Sequence, residues 1–218
     1  MKLTVFGATG GIGGHVVTQA LDAGHTVTAV VRDRARLSVP DHPGLHVVTV
    51  PGLTEPGLLE PALSGSDAAL SGVGPRSLKQ AGVATVATRG ILGALEATGV
   101  RRFVAVSAMP VGPVPDGERF LGRRVAYPLV RRLLRKVYDD LEAMEADIRR
   151  SGTEWTVVRP PRLTDKPVSG RYRLAFGANV PNGGFAARAD VAHAMLAILE
   201  DPRALNQPVG VAGPPPRN

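Results

Sequence analysis

Short apolar runs that stop at glycine or proline alternate with helical patterns along most of the chain. Leu3 to Phe6 is a strand-like run. From Ile12 to Leu21, apolar residues then recur at spacings of three and four, which predicts a strand, a tight turn and a helix. Thr26 to Val31 is a second β-branched run, which follows Gly24. The first thirty or so residues therefore predict one βαβ unit.

The same alternation continues to the end of the chain. The later predicted elements are strands at 45–50, 67–70, 102–107, 154–158 and 209–211, and helices at 55–63, 78–98, 119–150 (interrupted at Pro128) and 189–199. About seven strands alternating with helices predict an α/β fold, a doubly wound, mainly parallel sheet with helices on both faces. We expect one Rossmann-type domain at 1–213, with substrate-facing loops near 108–120 and 160–188 and a loose tail at 214–218.

Glycine dominates the turn between the first strand and the first helix, which reads Gly7-Ala8-Thr9-Gly10-Gly11-Ile12-Gly13. The pyrophosphate of a dinucleotide sits against N–H groups at a helix N-terminus, so side chains there must be small or absent. Because this turn follows a strand and opens a helix inside a βαβ unit, its context favours nucleotide binding over a merely structural turn. The predicted cofactor contacts are Gly7, Thr9, Gly10, Gly11, Ile12 and Gly13.

The end of the second strand decides which adenosine ribose can bind. An acidic side chain there accepts from a 2′-hydroxyl but would repel a 2′-phosphate. Here the strand ends at Arg32, with Arg36 on the following turn, and together with the Thr9 hydroxyl they suit a phosphate group. We interpret Asp33 as the cap of that turn and not as a ribose ligand. The expected cofactor is NADPH rather than NADH.

With these features, the chain resembles the atypical short-chain dehydrogenase/reductases, the NAD(P)H-binding group that includes NmrA-like proteins and the biliverdin reductase B type flavin reductases. The resemblance covers nearly the whole chain, and it is carried by the segments at 7–13, 30–33, 103–107, 155–165, 170–172 and 189–192. It implies that Gly72, Val73 and Gly74 line the nicotinamide half of the groove and that Ser107 lies beside the nicotinamide. It also implies that Pro160, Pro161 and Arg162 pass close to the carboxamide.

The chain departs from that group at two places. Members commonly have Gly-Asp after the third strand for the adenine amine, whereas this chain has Pro51-Gly52-Leu53, so an adenine contact must come from the backbone or be weaker. The flavin reductases often carry histidine at two active-site positions where this chain has Leu141 and Arg162. The resemblance therefore does not transfer flavin or biliverdin activity directly.

The tyrosine–lysine pair that donates the proton in carbonyl-reducing relatives is missing from the sequence. Carbonyl-reducing relatives use Tyr-x-x-x-Lys on one helix face, because the ammonium lowers the tyrosine pKa. Instead of lysine, this chain has Glu142 four residues after Tyr138 and Arg131 four residues after Tyr127. Ser107 and Tyr138 are the candidate catalytic residues. Ser107 could donate to a developing anion or bond the backbone, and Tyr138, like Tyr127, could be structural.

Two function classes remain open on this basis. Without a strong acid, the easy substrates are good hydride acceptors whose proton comes from water, which favours reduction of a small aromatic, quinone-like or flavin molecule. The alternative is a catalytically silent NAD(P)-binding redox sensor or regulator of the NmrA-like type. An isomerase or epimerase has no supporting acid–base pair in the sequence.

Composition narrows the partners and the compartment. The chain has no cysteine, and its five histidines lack metal-ligand spacing, so we expect no disulfide and no metal site. No apolar run approaches the roughly 20 residues of a membrane span, and the first residues lack a signal-peptide core. We therefore expect a cytoplasmic protein without integral membrane contact, as a monomer or homodimer.

Positive charge is the remaining compositional feature. The net charge of +7 could attract an anionic partner or serve solubility alone. The basic amphipathic stretch 119–136 could touch a membrane surface or an anionic substrate, or be a solvated face packed on its apolar side, which we favour. Because aromatic interleaving and a reading motif are missing, we expect no nucleic-acid partner.

Overall fold

The computed structural model describes residues 1–75, 82–115, 117 and 127–214. Its strands are β1 Lys2–Phe6, β2 Thr26–Val31, β3 Leu45–Thr49, β4 Ala68–Ser71, β5 Arg102–Val106, β6 Glu154–Arg159, β7 Arg162–Thr164, β8 Arg173–Phe176, β9 Phe185–Ala187 and β10 Gln207–Ala212. Its helices are α1 Gly11–Asp22, α2 Pro56–Leu63, α3 Val83–Thr98, α4 Tyr127–Leu133, α5 Arg135–Arg150 and α6 Arg188–Ala197.

Eight of these strands form one twisted sheet in the order β3-β2-β1-β4-β5-β6-β10-β8. Neighbouring strands run parallel except β10 and β8, which pair antiparallel. The chain proceeds outward from β1 to β3, then returns to the other side of β1 at β4. This reversal creates a crevice at the carboxyl ends of β1 and β4, where open α/β sheets bind their ligands. The predicted fold class is confirmed.

Helices cover both faces of the sheet, so the core has two halves. On one face, α1 and α6 pack together over side chains such as Leu3 and Val5 of β1. On the other face, α2, α3 and α5 pack over Phe6 of β1 and Phe103 of β5. Alternate residues of each buried strand therefore supply opposite halves of the core, as the two-residue period of a strand requires.

One predicted helix boundary is wrong, and one break between helices was not predicted. The third helix, predicted from Leu78, begins at Val83, because Gly82 has a left-handed φ of +101° that interrupts a helix; residues 76–81 lie outside the described chain. The break at Leu134, between α4 and α5, was not predicted; the predicted interruption at Pro128 adjoins residues 118–126, which lie outside the described chain.

The segment 160–188, predicted as a substrate-facing loop, contains β7, β8 and β9. β7 and β9 pair in parallel as a separate two-stranded ribbon, and β8 is the antiparallel edge of the main sheet. The predicted loop 108–120 begins with a 3-10 turn at Met109–Val111, but much of it and most of the tail 214–218 lie outside the described chain.

For the basic stretch 119–136 we favoured a helix with a solvated basic face and a packed apolar side, and the part that the structure describes does not fit this interpretation. Its residues 127–136 form α4 and the start of α5, and the leucines of α4 are not packed: Leu129 is 62% exposed and Leu133 is 75% exposed. The predicted packing of the apolar side is therefore wrong for these two residues. Among the helices that the structure describes, none is both long enough and apolar enough to span a membrane.

Candidate functional site

A cleft of about 890 Å³ opens at the point where the strand order reverses. Its lining comes from the turns after β1, β2, β3, β4 and β5, from the first turns of α1, α3 and α6, and from single residues of α5 and β7. Its volume is in the range typical of small-molecule and cofactor sites. The sheet therefore concentrates the predicted cofactor residues at one edge.

The glycine turn forms one side of this cleft. The Gly10 N–H donates to the Gly7 carbonyl over 2.9 Å, and α1 begins at Gly11 without a side-chain cap or an acidic residue in its first turn. The first N–H groups of a helix have no acceptor within it, and its N-terminus favours negative charge. Gly7, Thr9, Gly10, Gly11 and Ile12 all line the cleft, so this end suits a pyrophosphate.

Two glycines of the turn are required by close backbone packing. Gly7 has a φ of +73°, and a Cβ there would lie 2.9 Å from the carbonyl carbon of Gly72. A Cβ on Gly13 would collide with the Gly7 carbonyl, whose carbon would be 2.7 Å away. Gly13 does not line the cleft; it allows α1 to pack on the turn. The predicted role of Gly13 is therefore indirect.

The adenosine end has no acidic side chain at the end of β2. Arg32 lines the cleft, together with the segment Pro51 to Thr54. Asp33 points away into the next turn, where its carboxylate accepts from the Ala35 N–H over 3.0 Å, as predicted. Arg36 lines a smaller cavity of about 230 Å³ that shares Thr9, Gly10 and Gly11 with the cleft. No carboxylate of the described chain pairs with Arg32 or Arg36.

The opposite end of the cleft is lined by Gly72, Val73 and Gly74 after β4 and by Ser107 after β5. The Ser107 N–H donates to the Val158 carbonyl over 2.8 Å, which fixes the backbone. Its side-chain Oγ is buried and has no hydrogen-bond partner in the described part of the chain. An unpartnered buried hydroxyl is uncommon, because its desolvation is not repaid. The hydrogen-bonding capacity of this Oγ is therefore unused among the described residues, at a residue that lines the cleft.

Apolar side chains form the wall beside Ser107. They are contributed by four different elements and by the turn after β4: Val73, Val83, Val86, Val106, Leu141 and Leu163. Val83 and Val86 on the first turn of α3 remain 41% and 47% exposed. Apolar surface that is partly open to a cleft suits an apolar ring more than a charged group.

Asp140 of α5 fixes the start of α3 and hence part of that wall. Its buried carboxylate accepts from the N–H groups of Ala84 and Thr85 at 3.1 and 3.0 Å, and the Thr85 hydroxyl donates to the Asp140 carbonyl at 2.7 Å. Gly82, which precedes α3, has no side chain to provide this cap. A residue 55 positions further along the chain therefore caps α3, and sequence reasoning missed it.

Besides Gly13 and Arg36, three more predicted site residues do not line the cleft. Tyr138 is buried in the core between α5 and the sheet, and this burial raises the pKa of its phenol. Pro160 is buried after β6, and its carbonyl accepts from the Met109 N–H over 2.9 Å. Arg162 is exposed, while its neighbour Leu163 lines the cleft, because adjacent residues of the short β7 point to opposite faces.

Arg188, the first residue of α6, also lines the cleft, and sequence reasoning missed it. Its side chain crosses the glycine turn so closely that a Cβ on Gly11 would lie 2.6 Å from its Cδ. Its Nη1 donates to Asp165 Oδ1 over 2.5 Å. The only signal available was its position just before Ala189-Asp190-Val191-Ala192, a segment that the resemblance had already included.

A family model described as NAD(P)H-binding matches residues 7–202, which is most of the chain. The chain belongs to the NAD(P)H-binding family. The resemblance inferred from the sequence is thereby confirmed for family and fold.

Relatives of this NAD(P)H-binding protein include one curated sequence at 31% identity, an uncharacterised chloroplastic protein of Arabidopsis thaliana. The alignment covers 78% of this chain and 61% of that protein, so the chain spans about three fifths of its relative.

Solved structures share the fold at lower identity. ChuY, an anaerobillin reductase from Escherichia coli O157:H7, is 20% identical with a TM-score of 0.77, and the match covers 100% of both chains. A short-chain dehydrogenase/reductase from Veillonella parvula in complex with NADP is 20% identical with a TM-score of 0.76, and the match covers 98% of this chain and 94% of that one.

Proposed function

We propose that the protein is an NADPH-dependent oxidoreductase whose acceptor is a small aromatic, quinone-like or flavin molecule. The observation that carries the proposal is the buried, unpartnered Oγ of Ser107 in the lining of the cleft. Reduced nicotinamide supplies a hydride when it is bound. Ser107 would donate a hydrogen bond to the acceptor atom on which negative charge develops, so it would stabilise the transition state more than the bound substrate.

The absence of an acid in the described lining supports this class of acceptor. Arg32 and Arg188 are the ionisable side chains among the described residues of the cleft. A guanidinium keeps its proton at neutral pH, so neither residue is a proton donor. An acceptor whose reduced form takes its proton from water needs no such donor, and a flat ring fits the apolar wall beside Ser107.

The direct test is loss of reduced-nicotinamide absorbance with flavins, quinones and ketones as acceptors. We expect Ser107→Ala to lower turnover by about 10–100-fold, since a hydrogen bond to developing charge is lost. Its affinity for NADPH, measured by fluorescence titration, should stay within about twofold, because the lost contact is to the acceptor. Equal turnover by Ser107→Ala and wild type would contradict the role of this hydroxyl.

Preference for NADPH is the second part of the proposal and rests on Arg32 and Arg36. Replacing both by glutamine is expected to weaken NADPH binding by about 10–100-fold, because charge-assisted bonds to the 2′-phosphate are lost. NADH lacks that phosphate, so its affinity should change by less than about threefold. Arg34→Gln is the matched control, since Arg34 is on the same turn but pairs with Asp41. Equal losses for both cofactors would contradict the assignment.

A regulator that binds NAD(P) without turnover is the alternative, and the same lack of a proton donor in the described lining favours it. Such a protein must bind the reduced and oxidised cofactors with different affinities, because only differential binding shifts an equilibrium with a partner. Tight NADPH binding with no oxidation by any acceptor would therefore favour the regulator over the reductase.

A further inference from the structure

We propose that Arg188 binds the pyrophosphate of the dinucleotide and that Asp165 holds the guanidinium of Arg188 in position for this contact. The inference deepens the proposed function and rests on it, because it assigns a ligand to a residue of the same cleft. Arg188 and Asp165 lie 23 positions apart in the chain and form an ion pair.

The ribbon of β7 and β9 brings the two residues together. The strands are parallel, and their last paired residues are Thr164 and Ala187. Asp165 directly follows β7 and Arg188 directly follows β9, so both residues lie at the same end of the ribbon. Leu163 of β7 lines the cleft next to this end. The ribbon therefore contributes an apolar contact to the cleft and leads directly into Arg188, whose side chain crosses the glycine turn.

The direction of the guanidinium is specific. Nη1 is the atom bound to Asp165, so the edge formed by Nε and Nη2 is left without a partner in the described chain. Nε also lies 3.0 Å from the position that a Cβ on Gly11 would occupy, directly over the start of α1. The Nε–Nη2 edge is the one that receives two oxygens in bidentate pairs, as Arg159 does with Glu145 in this chain.

Charge and backbone N–H groups converge at this point. The first N–H groups of α1 have no side-chain cap, and Arg188 adds a full positive charge above them. A pyrophosphate between the two would gain contacts from both sides. An anion with a single charge could use the helix start alone, whereas the Arg188 edge matches two oxygens.

Asp165 acts through Arg188 and is a positioning residue. Its side chain is 87% exposed, so water and salt screen its repulsion of a pyrophosphate. The ion pair nevertheless restricts the rotamers of a long side chain, and a restricted side chain loses less freedom when ligand binds. We therefore expect Asp165 to increase the affinity for the dinucleotide.

The test for Arg188 measures binding of ADP-ribose, which carries the pyrophosphate without the nicotinamide, by calorimetry. Arg188→Gln should weaken ADP-ribose by about 10–100-fold and weaken NADPH and NADH by the same factor, because all three share the pyrophosphate. Adenosine 2′-monophosphate has no 5′-phosphate and should change by less than about threefold. Arg188→Lys should fall between, since it keeps the charge but not the bidentate edge. Arg171→Gln replaces an exposed arginine that lies between β7 and β8 in the chain; it is the charge control and should bind as wild type does.

The positioning role is tested in a double-mutant cycle. Asp165→Asn should weaken ADP-ribose by about two- to fivefold in the wild-type background and have no effect in the Arg188→Gln background. Wild-type affinity in Arg188→Gln would overturn the pyrophosphate contact. Tighter binding by Asp165→Asn would show that Asp165 competes with the ligand, and would overturn positioning. If wild type binds neither NADPH nor NADH, the proposed function itself fails, which is distinct from a change confined to the variants.

Discussion

Replacing Glu145 by alanine is expected to lower the free energy of unfolding by about 3–5 kcal/mol. Glu145 is fully buried on α5, and its carboxylate accepts from Arg159 through Nε at 2.9 Å and Nη2 at 2.5 Å. Arg159 is only 4% exposed, so the variant leaves a buried cation without a counterion. Urea unfolding followed by circular dichroism measures the loss.

The same helix provides the control for Glu145. Glu142 is 54% exposed and pairs with Arg131 at the surface, so Glu142→Ala should change stability by less than about 0.5 kcal/mol. The double variant Glu145→Leu/Arg159→Met removes both charges and should recover much of the loss, because the desolvation cost disappears with the ion pair. Equal stabilities of Glu145→Ala and Glu142→Ala would refute this account of the core.

Asp140→Ala is expected to lower the free energy of unfolding by about 2–3 kcal/mol, the second largest effect. The two N–H groups at the start of α3 would lose their only carboxylate while remaining buried beneath α5. We expect the lost stability to appear first as local opening at the start of α3. Hydrogen exchange at the amides of Ala84 and Thr85 should speed up more than exchange in the central strands.

The neighbouring residue Asp139 separates this effect from the general loss of a charge. Its side chain is 56% exposed and pairs with Arg135 four residues away, so Asp139→Ala should cost at most about 0.5 kcal/mol. Asp140→Asn keeps one acceptor oxygen and should lie between the two alanine variants. If amide exchange at the start of α3 is the same in Asp140→Ala and Asp139→Ala, the long-range cap has no energetic role.

The phosphate end of the cleft could be predicted from the sequence because its signal is local. Gly7, Gly10 and Gly13 lie within one turn between a strand and a helix, and Arg32 follows the next strand directly. The place of each of these residues in the fold follows from how few residues separate it from a predicted strand or helix. The structure accordingly brings these residues together, except that Gly13 supports the turn from behind.

The other contributors depend on contacts between distant segments, for which one sequence has no periodic signal. Arg188 reaches Gly11 only after α6 has packed on α1, and Asp140 caps a helix that begins 57 residues earlier, at Val83. β7, β8 and β9 were missed because three or four residues are too few to establish alternation.

The pairing of α1 with α6 has a consequence for synthesis of the chain. α1 ends at Asp22, whereas its main packing partner begins at Arg188. At about 5–20 residues per second, the ribosome needs on the order of 10–30 s to make the intervening segment. During that time the side of α1 that packs on α6 has no partner, although β1 and β2 on its other side are already made. The glycine turn comes early in the sequence but is completed late in folding, when the last helix closes over it.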